Sequence, residues 1–321
     1  MPNENELNQG AVAGEPFEHG AHASAALREH VRDFAQTFSI EVTPQGAWKV
    51  PSYGDLLPQR TEVYVPHLPD VPLSDAIAAL TRLSQEGMVP VAHIAARNLT
   101  SEEELKSFLE QATGEAGLSK VLLIGGGVGK QRGPFGGTFE VLDTGLLDEH
   151  GISAFGIAGH PEGSPDISNT EIRDSMKAKV GHARKSGAQS HIVTQFFFDA
   201  TPVIDWEAGL RNDGFDLPIH IGLHGVTSFK NLMWYGMQCG IGNSLRVLAK
   251  QKGRLTKLAT VQDPGKLLLE IVRCRAMSPQ SLFASPHFFP LGGFEATAKW
   301  IGAIRSGEFE IHQDGQSLLV E

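Results

Sequence analysis

The feature that most constrains the fold is an alternation, repeated eight times, of a short apolar run and a longer helical pattern. The apolar runs are rich in β-branched and aromatic residues, and no hairpin signal lies between them. Strands that alternate with helices pair in parallel through crossover connections. We therefore predict a (β/α)8 TIM barrel, and an open doubly wound sheet is the alternative. The predicted strands are residues 38–42, 61–66, 89–95, 121–124, 154–158, 192–198, 218–223 and 287–291.

Two additions to the barrel are expected. An extra N-terminal helix is predicted over residues 25–36, and the segment 243–280 is too long for a simple connection and has helical periodicity of its own. We read that segment as one or two helices inserted before the eighth strand. Barrels of this size commonly form one domain, so we expect a catalytic barrel over residues 22–307, between a flexible N-terminal tail (1–21) and a C-terminal tail (308–321).

Charge and composition exclude several classes of protein. The formal net charge is -10 and there is no run of Lys or Arg, which argues against a nucleic acid or an anionic membrane as partner. Cys239 and Cys274 form no metal-binding or disulfide motif, so we expect no metal site and a reduced, cytoplasmic location. No apolar stretch approaches the roughly 20 residues of a membrane span, and residues 1–20 lack the pattern of a signal peptide.

Polar side chains stand at the predicted carboxyl ends of the strands, where barrel enzymes carry their active sites. Strand one contributes Glu41, whose pKa should rise if the carboxylate is buried in apolar surroundings. Strand three contributes His93, with Arg97 and Asn98 in the following loop. A salt bridge within the barrel for Glu41 and a hydrogen-bonded core position for His93 are the purely structural alternatives.

Strands four, five and six end in more distinctive segments. The glycines Gly125, Gly126 and Gly127 open a loop that could cradle phosphate, although it matches neither common nucleotide-binding fingerprint and could be a plain surface loop. Strand five ends in a stiff turn with two prolines. Strand six ends in an amide beside three aromatic residues, which suits a flat heterocyclic ligand but equally suits a buried strand with a polar end. The residues concerned are His160, Glu162 and Ser164 in the turn, and Thr194 to Asp199 after strand six.

These segments, in this order over residues 38–304, resemble the motifs of the methylenetetrahydrofolate reductase family. Residues 194–199 are nearly identical to the family's Thr-Gln-Phe-Phe-Phe-Asp, and residues 39–44 are similar to its Ser-Phe-Glu-Phe-Phe-Pro. Weaker parallels lie at residues 93–94, 159–165, 177–180 and 222–230.

The resemblance implies a flavin-dependent oxidoreductase of one-carbon metabolism and methionine biosynthesis. FAD would lie at the barrel mouth, where NAD(P)H and a folate would occupy the exposed face of the flavin in turn. The reaction would interconvert 5,10-methylenetetrahydrofolate and 5-methyltetrahydrofolate. A homo-oligomer is also implied. By the resemblance Glu41 is the acid, Gln195, Phe229 and Phe197 bind the substrate, and His93, Gly125, Gly126, Gly127, His160, Glu162, Ser164 and Lys179 surround FAD, with Lys179 near the diphosphate.

The sequence also departs from the family pattern. Where relatives end strand four with Leu-Arg-Gly-Asp, this chain has Ile124 followed by three glycines, so both charged groups are missing. We hypothesise that Lys130 or Arg132 replaces the missing Arg. His160 and Ser164 stand where the family has Tyr and His. Two other functions therefore stay open: a flavin-dependent barrel reductase acting on another pterin, and a non-catalytic folate- or flavin-binding partner of a methyltransferase. The direction of the reaction and the choice of NADH or NADPH also stay open.

Overall fold

A computed structural model of the protein describes residues 15–127, 130–164, 167–238 and 261–320. Eight parallel strands close into a barrel in which each strand pairs with its sequence neighbours and the first pairs with the last. The predicted (β/α)8 barrel is therefore confirmed. Its strands are β1 (Ser39–Glu41), β2 (Glu62–Val65), β3 (Val89–Ala95), β4 (Lys120–Ile124), β5 (Ala154–Gly159), β6 (Gln189–Thr194), β7 (Ile219–His224) and β8 (Phe283–Phe289).

Helices surround the barrel, and several begin at a side-chain cap that the sequence provides. Ser168 accepts a hydrogen bond from the Glu171 backbone N–H, and the Glu171 carboxylate accepts one from the Ser168 N–H, which is a complete capping box. The long helices are α1 (Glu15–Phe34), α2 (Leu73–Gln85), α3 (Glu102–Ala116), α4 (Asn169–Ser186), α5 (Thr201–Asn212), α6 (Phe229–Gln238), α7 (Gly265–Met277) and α8 (Phe294–Ser306). Short turns of helix span Pro44–Ala47, Tyr53–Leu56, Ala96–Asn98, Thr138–Asp143 and Leu146–Glu149.

The two predicted additions are present in the described residues. The N-terminal helix α1 begins at Glu15, earlier than predicted, and α7 lies inside the predicted insertion. Residues 1–14 of the predicted tail and residues 243–260 of the insertion lie outside the described residues. Cys274 has a free thiol, and Cys239 also lies outside the described residues.

Two strands, β6 and β8, differ from their predicted boundaries by more than one residue. Strand β6 ends at Thr194, so the phenylalanines that follow it belong to a loop rather than to the strand. Strand β8 begins at Phe283 and ends at Phe289, whereas residues 287–291 were predicted. The strand cannot continue further because Pro290 lacks an N–H and Leu291 has a φ of 50°, in the left-handed region.

Short antiparallel ribbons, which the sequence did not predict, complete the fold. Within the predicted C-terminal tail, Glu310–Ile311 pairs with Leu318–Leu319, and the Leu318 side chain is buried. The strand Thr227–Ser228, just before α6, pairs with Val261–Gln262. In the described part of the chain, no helix is both long enough and apolar enough to cross a membrane.

The barrel interior is unusually polar at the amino ends of its strands. The Tyr64 hydroxyl lies 3.0 Å from His191 Nε2, and the His191 ring stacks on His220 with centroids 4.3 Å apart. Lys120 Nζ lies 2.6 Å from Glu62 Oε1. Above these groups Tyr64 packs in a small apolar cluster with Val91, Leu122 and Val193. The larger apolar core lies outside the barrel wall, between the strands and the helices.

Candidate active site

Glu41, at the carboxyl end of β1, is held between two histidines. Its Oε1 lies 3.2 Å from His93 Nε2 on β3 and 3.3 Å from His287 Nε2 on β8. The other ring nitrogen of His287 lies 2.7 Å from the hydroxyl of Ser39. The Glu41 side chain is 14% exposed and that of His287 is 0% exposed, so the carboxylate is near the mouth and the histidine is below it.

The expected rise in the Glu41 pKa is wrong. Burial pushes the pKa upward, but electrostatic attraction and hydrogen bonding from His93 and His287 outweigh burial and lower the pKa of Glu41 to about 2. Glu41 is therefore ionised in the resting site.

The end of β6 contributes an amide and part of an aromatic wall. Gln195 Oε1 accepts a hydrogen bond from the Phe196 N–H at 3.1 Å, which fixes the orientation of the amide. Successive phenylalanines point to opposite sides: Phe196 joins an apolar cluster at the mouth, whereas Phe197 is buried in the large core outside the barrel wall. The mouth cluster contains Phe196, Phe198, Phe229, Leu232, Met233, Tyr235, Phe289 and Leu291. The structure thus brings Phe229 close to the Gln195 segment and places Phe197 away from the mouth.

Close approach of β7 to the Gln195 segment depends on Gly222. A Cβ at this position would lie 2.3 Å from the Thr194 carbonyl oxygen and 2.6 Å from that of Gln195, closer than any side chain allows. The Gly222 N–H also donates to the Thr194 hydroxyl at 2.8 Å. The position of Gln195 is therefore set by backbone packing as well as by its own hydrogen bond.

A cavity of about 400 Å³ opens beside the turn that follows β5. The turn residues His160 and Glu162 line it together with residues 169–176 of α4 and 202–210 of α5, and Ser164 is half-buried in the same turn. Buried Lys179 makes no ion pair or hydrogen bond with the described residues, and desolvation lowers its pKa to about 8. Burial and the nearby Lys179 charge lower the pKa of His160, whose Nδ1 is buried and has no hydrogen-bond partner in the part of the chain that the structure describes. An unpaired buried cation beside an unpaired ring nitrogen suits an anionic ligand.

The end of β4 is covered by an arginine from the neighbouring strand end. Arg97 Nε donates to the Gly125 carbonyl oxygen at 3.2 Å, and the guanidinium also donates to that of Gly126. Arg132 instead pairs with Asp70 at 2.6 Å, and Lys130 is exposed. The cation at this strand end is therefore Arg97, which does not support the hypothesis that Lys130 or Arg132 takes that place.

The chain is similar in sequence to known proteins. A family model described as methylenetetrahydrofolate reductase matches residues 72–245, just over half of the 321 residues. The chain belongs to the methylenetetrahydrofolate reductase family. Methylenetetrahydrofolate reductase 2 of Saccharomyces cerevisiae is 30% identical over 79 residues, which cover 24% of this chain and only 12% of the yeast protein.

Two solved structures were also found as distant matches. An uncharacterized protein from Clostridium thermocellum that binds two copies of 5-methyl-5,6,7,8-tetrahydrofolic acid is 10% identical, with a TM-score of 0.49 over 87% of this chain and 99% of that one. Dihydropteroate synthase from Thermus thermophilus is 11% identical, with a TM-score of 0.41 over 84% and 93% of the two chains.

Three histidines at the mouth of this family member were not identified as site residues from the sequence. His287 was missed because the predicted β8 began at this residue. In the structure β8 begins at Phe283, so that Ser285, His287 and Phe289 alternate along one face of the strand. His67 follows β2, where burial lowers its pKa to about 4, and its Nδ1 lies 3.3 Å from the Ala95 N–H. His224 ends β7 and its Nδ1 lies 2.9 Å from the Gly225 carbonyl oxygen. A polar residue at each strand end was the available signal.

Proposed function

We propose that the protein is a flavin-dependent oxidoreductase that interconverts 5,10-methylenetetrahydrofolate and 5-methyltetrahydrofolate, with NAD(P)H as the other redox partner. The observation that carries this proposal is the ionised Glu41 at the mouth of a barrel of this family, between His93 and His287. A buried carboxylate within 3.3 Å of two imidazole nitrogens is suited to moving a proton.

The residues present are compatible with FAD. Lys179 and the unpaired His160 Nδ1 offer positive charge and a hydrogen-bonding nitrogen for a diphosphate, and the adjoining cavity has room for the adenosine. Among the described residues, a Cβ on Gly127 would meet nothing within 4 Å, which is compatible with a flat ring at the end of β4. When bound, FAD supplies the hydride chemistry, and the protein supplies orientation and electrostatics.

The folate side of the site is the wall formed by Gln195 and the mouth cluster. An amide presents both a donor and an acceptor, which matches the edge of a pterin. Phe229 and its aromatic neighbours offer apolar faces for the pterin or the nicotinamide ring. Gln195 and Phe229 thus orient the substrate over the same mouth onto which Glu41 opens.

Glu41 and its histidines perform the proton transfer. In the direction of methyl-folate synthesis a proton goes to the amine nitrogen that leaves when the five-membered ring opens, and in the reverse direction the same group takes that proton back. Because Glu41 is ionised, His93 or His287 stores the proton and Glu41 orients the imidazole that carries it. This modifies the role first expected of Glu41, which was that of the acid itself.

A reductase acting on another pterin is the second candidate, and the end of β4 favours it. The charged residues that the family pattern places there are absent from Gly125 to Gly127, so the ring bound at this edge meets different groups. Gln195 and Glu41 serve either substrate equally well. Titration with different reduced pterins distinguishes the two candidates.

The direct test is the visible spectrum of the purified protein, reconstituted with FAD if necessary, followed by anaerobic additions. We expect a bound flavin that is bleached by NADH or NADPH and by 5-methyltetrahydrofolate. Bleaching by a nicotinamide nucleotide and by a different reduced pterin, but not by the folate, selects the second candidate. Failure of the protein to bind FAD would refute both candidates.

A further inference from the structure

The guanidinium of Arg97 is fixed at the end of β4 without a carboxylate partner among the described residues. Arg97 lies in the helical turn Ala96–Asn98 directly after β3, and its backbone N–H donates to the Gly125 carbonyl oxygen at 3.0 Å. Its side chain donates to the carbonyl oxygens of Gly125 and Gly126. These bonds orient the guanidinium but do not neutralise it, so a half-buried positive charge borders the mouth.

The surface beside this charge is shaped for a flat ligand with polar edges. A Cβ on Gly125 would meet only Arg97, at 3.7 Å, and a Cβ on Gly127 would meet nothing within 4 Å. Asn98 is 5% exposed, and its Oδ1 has no hydrogen-bond partner among the described residues. That oxygen lies 3.1 Å from the point where a Cβ of Gly126 would stand, so it faces the same glycine segment.

We infer that Arg97 makes the flavin site cationic at the edge of the ring and binds the reduced flavin more tightly than the oxidised flavin. This inference rests on the proposed function, because it assumes that the ring lies at the mouth. Uptake of a hydride, which carries two electrons and one proton, converts the neutral oxidised ring into a monoanion. A nearby guanidinium stabilises that anion and raises the reduction potential of the bound flavin.

The raised potential favours the half-reaction that consumes methyl-folate. With FAD bound, the methyl carbon would lose a hydride, and the nitrogen lone pair would form a C=N bond to that carbon. The second amine would then attack the carbon and lose its proton to an unprotonated ring nitrogen of His93 or His287, the two histidines that lie 3.2 and 3.3 Å from Glu41. The same raised potential would make hydride transfer from reduced flavin to an oxidised nicotinamide less favourable, so the expected effect of Arg97 is on the folate half-reaction.

The test is the midpoint potential of FAD bound to the full-length protein and to variants at position 97. We expect the wild-type potential to lie above that of free FAD. In Arg97→Gln the ratio of affinities for reduced and oxidised flavin should fall at least tenfold, a downward shift of about 30 mV for two electrons. Arg97→Lys keeps the charge and should retain most of the wild-type value. Lys130→Gln and Arg132→Gln remove cations from the same loop region and should leave the potential unchanged.

The possible failures are distinguishable. A wild-type protein that binds no FAD refutes the proposed function and this inference together. Bound FAD with a wild-type potential below that of free FAD, or with the same potential in Arg97→Gln as in wild type, refutes only the role of Arg97. If Arg97→Gln does not fold, a potential in Arg97→Lys equal to that of free FAD refutes it as well.

Discussion

Glu41 is held by histidines from two other strands, and its ionised state determines what its replacement should do. Glu41→Gln removes the carboxylate that orients His93 and His287. The proposed contacts of FAD near Lys179 are unchanged. We expect the flavin to be reduced by NADH or NADPH at the wild-type rate. Electron transfer between flavin and folate should slow by roughly 10²- to 10⁴-fold, the usual contribution of a proton-transfer group. Anaerobic stopped-flow absorbance measures both half-reactions, and an unchanged folate half-reaction would remove Glu41 from proton transfer.

Lys179 allows a prediction in which binding and stability change in opposite directions. A buried ammonium without a partner destabilises the free protein, because desolvation is not compensated. Lys179→Met should therefore leave the free energy of unfolding of the FAD-free protein equal or higher. FAD affinity should fall by about tenfold or more, because a cation proposed to lie beside the diphosphate is lost. Urea unfolding and fluorescence titration measure the two effects, with exposed Lys177→Met on the same helix as the control. Weaker stability with unchanged affinity would indicate a structural role.

At the scale of elements, Glu207 joins α5 to the loop that leads into β8. Its side chain is 1% exposed, and Oε1 accepts hydrogen bonds from the Leu282 N–H at 2.8 Å and from Arg211 Nε at 2.9 Å. In Glu207→Ala both donors lose their acceptor, so we expect a loss of about 3 kcal/mol in the free energy of unfolding. Glu295→Ala, which removes an exposed partner of Lys299, should cost about 0.5 kcal/mol or less. Equal urea midpoints for the two variants would contradict this assignment.

The strand and helix pattern predicted the barrel, because eight repeats of alternating periodicity allow few other topologies. The pattern could not locate the ends of β6 and β8. After Thr194 the chain continues with consecutive phenylalanines that resemble a buried strand, although Phe196 packs in the mouth cluster and Phe197 packs in the large core. The same limit hid His287. The pKa of Glu41 depended on which side chains the closed barrel brings to it from β3 and β8, and contacts between residues about 250 positions apart leave no local signal.

At the scale of the whole molecule, burial of several imidazoles, at the mouth and inside the barrel, links stability to pH. Burial is the largest cause of the low pKa values of His67 and His220, both about 4, and lowers that of His191 well below 6.5. The folded protein keeps these rings neutral at pH values where the unfolded chain, with a pKa of 6.5, takes up protons. Above about pH 6.5 these rings therefore do not change the free energy of unfolding. As the pH falls from 6.5 towards 4, they lower the free energy of unfolding progressively.

This linkage predicts that the free energy of unfolding falls steeply with decreasing pH between about 6.5 and 4, and that the fall begins at pH values above those at which carboxylates titrate. Each such imidazole lowers the free energy of unfolding by up to about 1.4 kcal/mol per pH unit within the window. Urea midpoints measured at pH 7.5, 6 and 5 should fall progressively. His220→Gln should flatten the slope by roughly one group's share, while exposed His312→Gln should not. Glu41 acts in a separate window, because its stabilising charge is present above pH 4.5 and is lost towards pH 2. Equal midpoints at pH 7.5 and 5 would show that the interior imidazoles are hydrated in the native state.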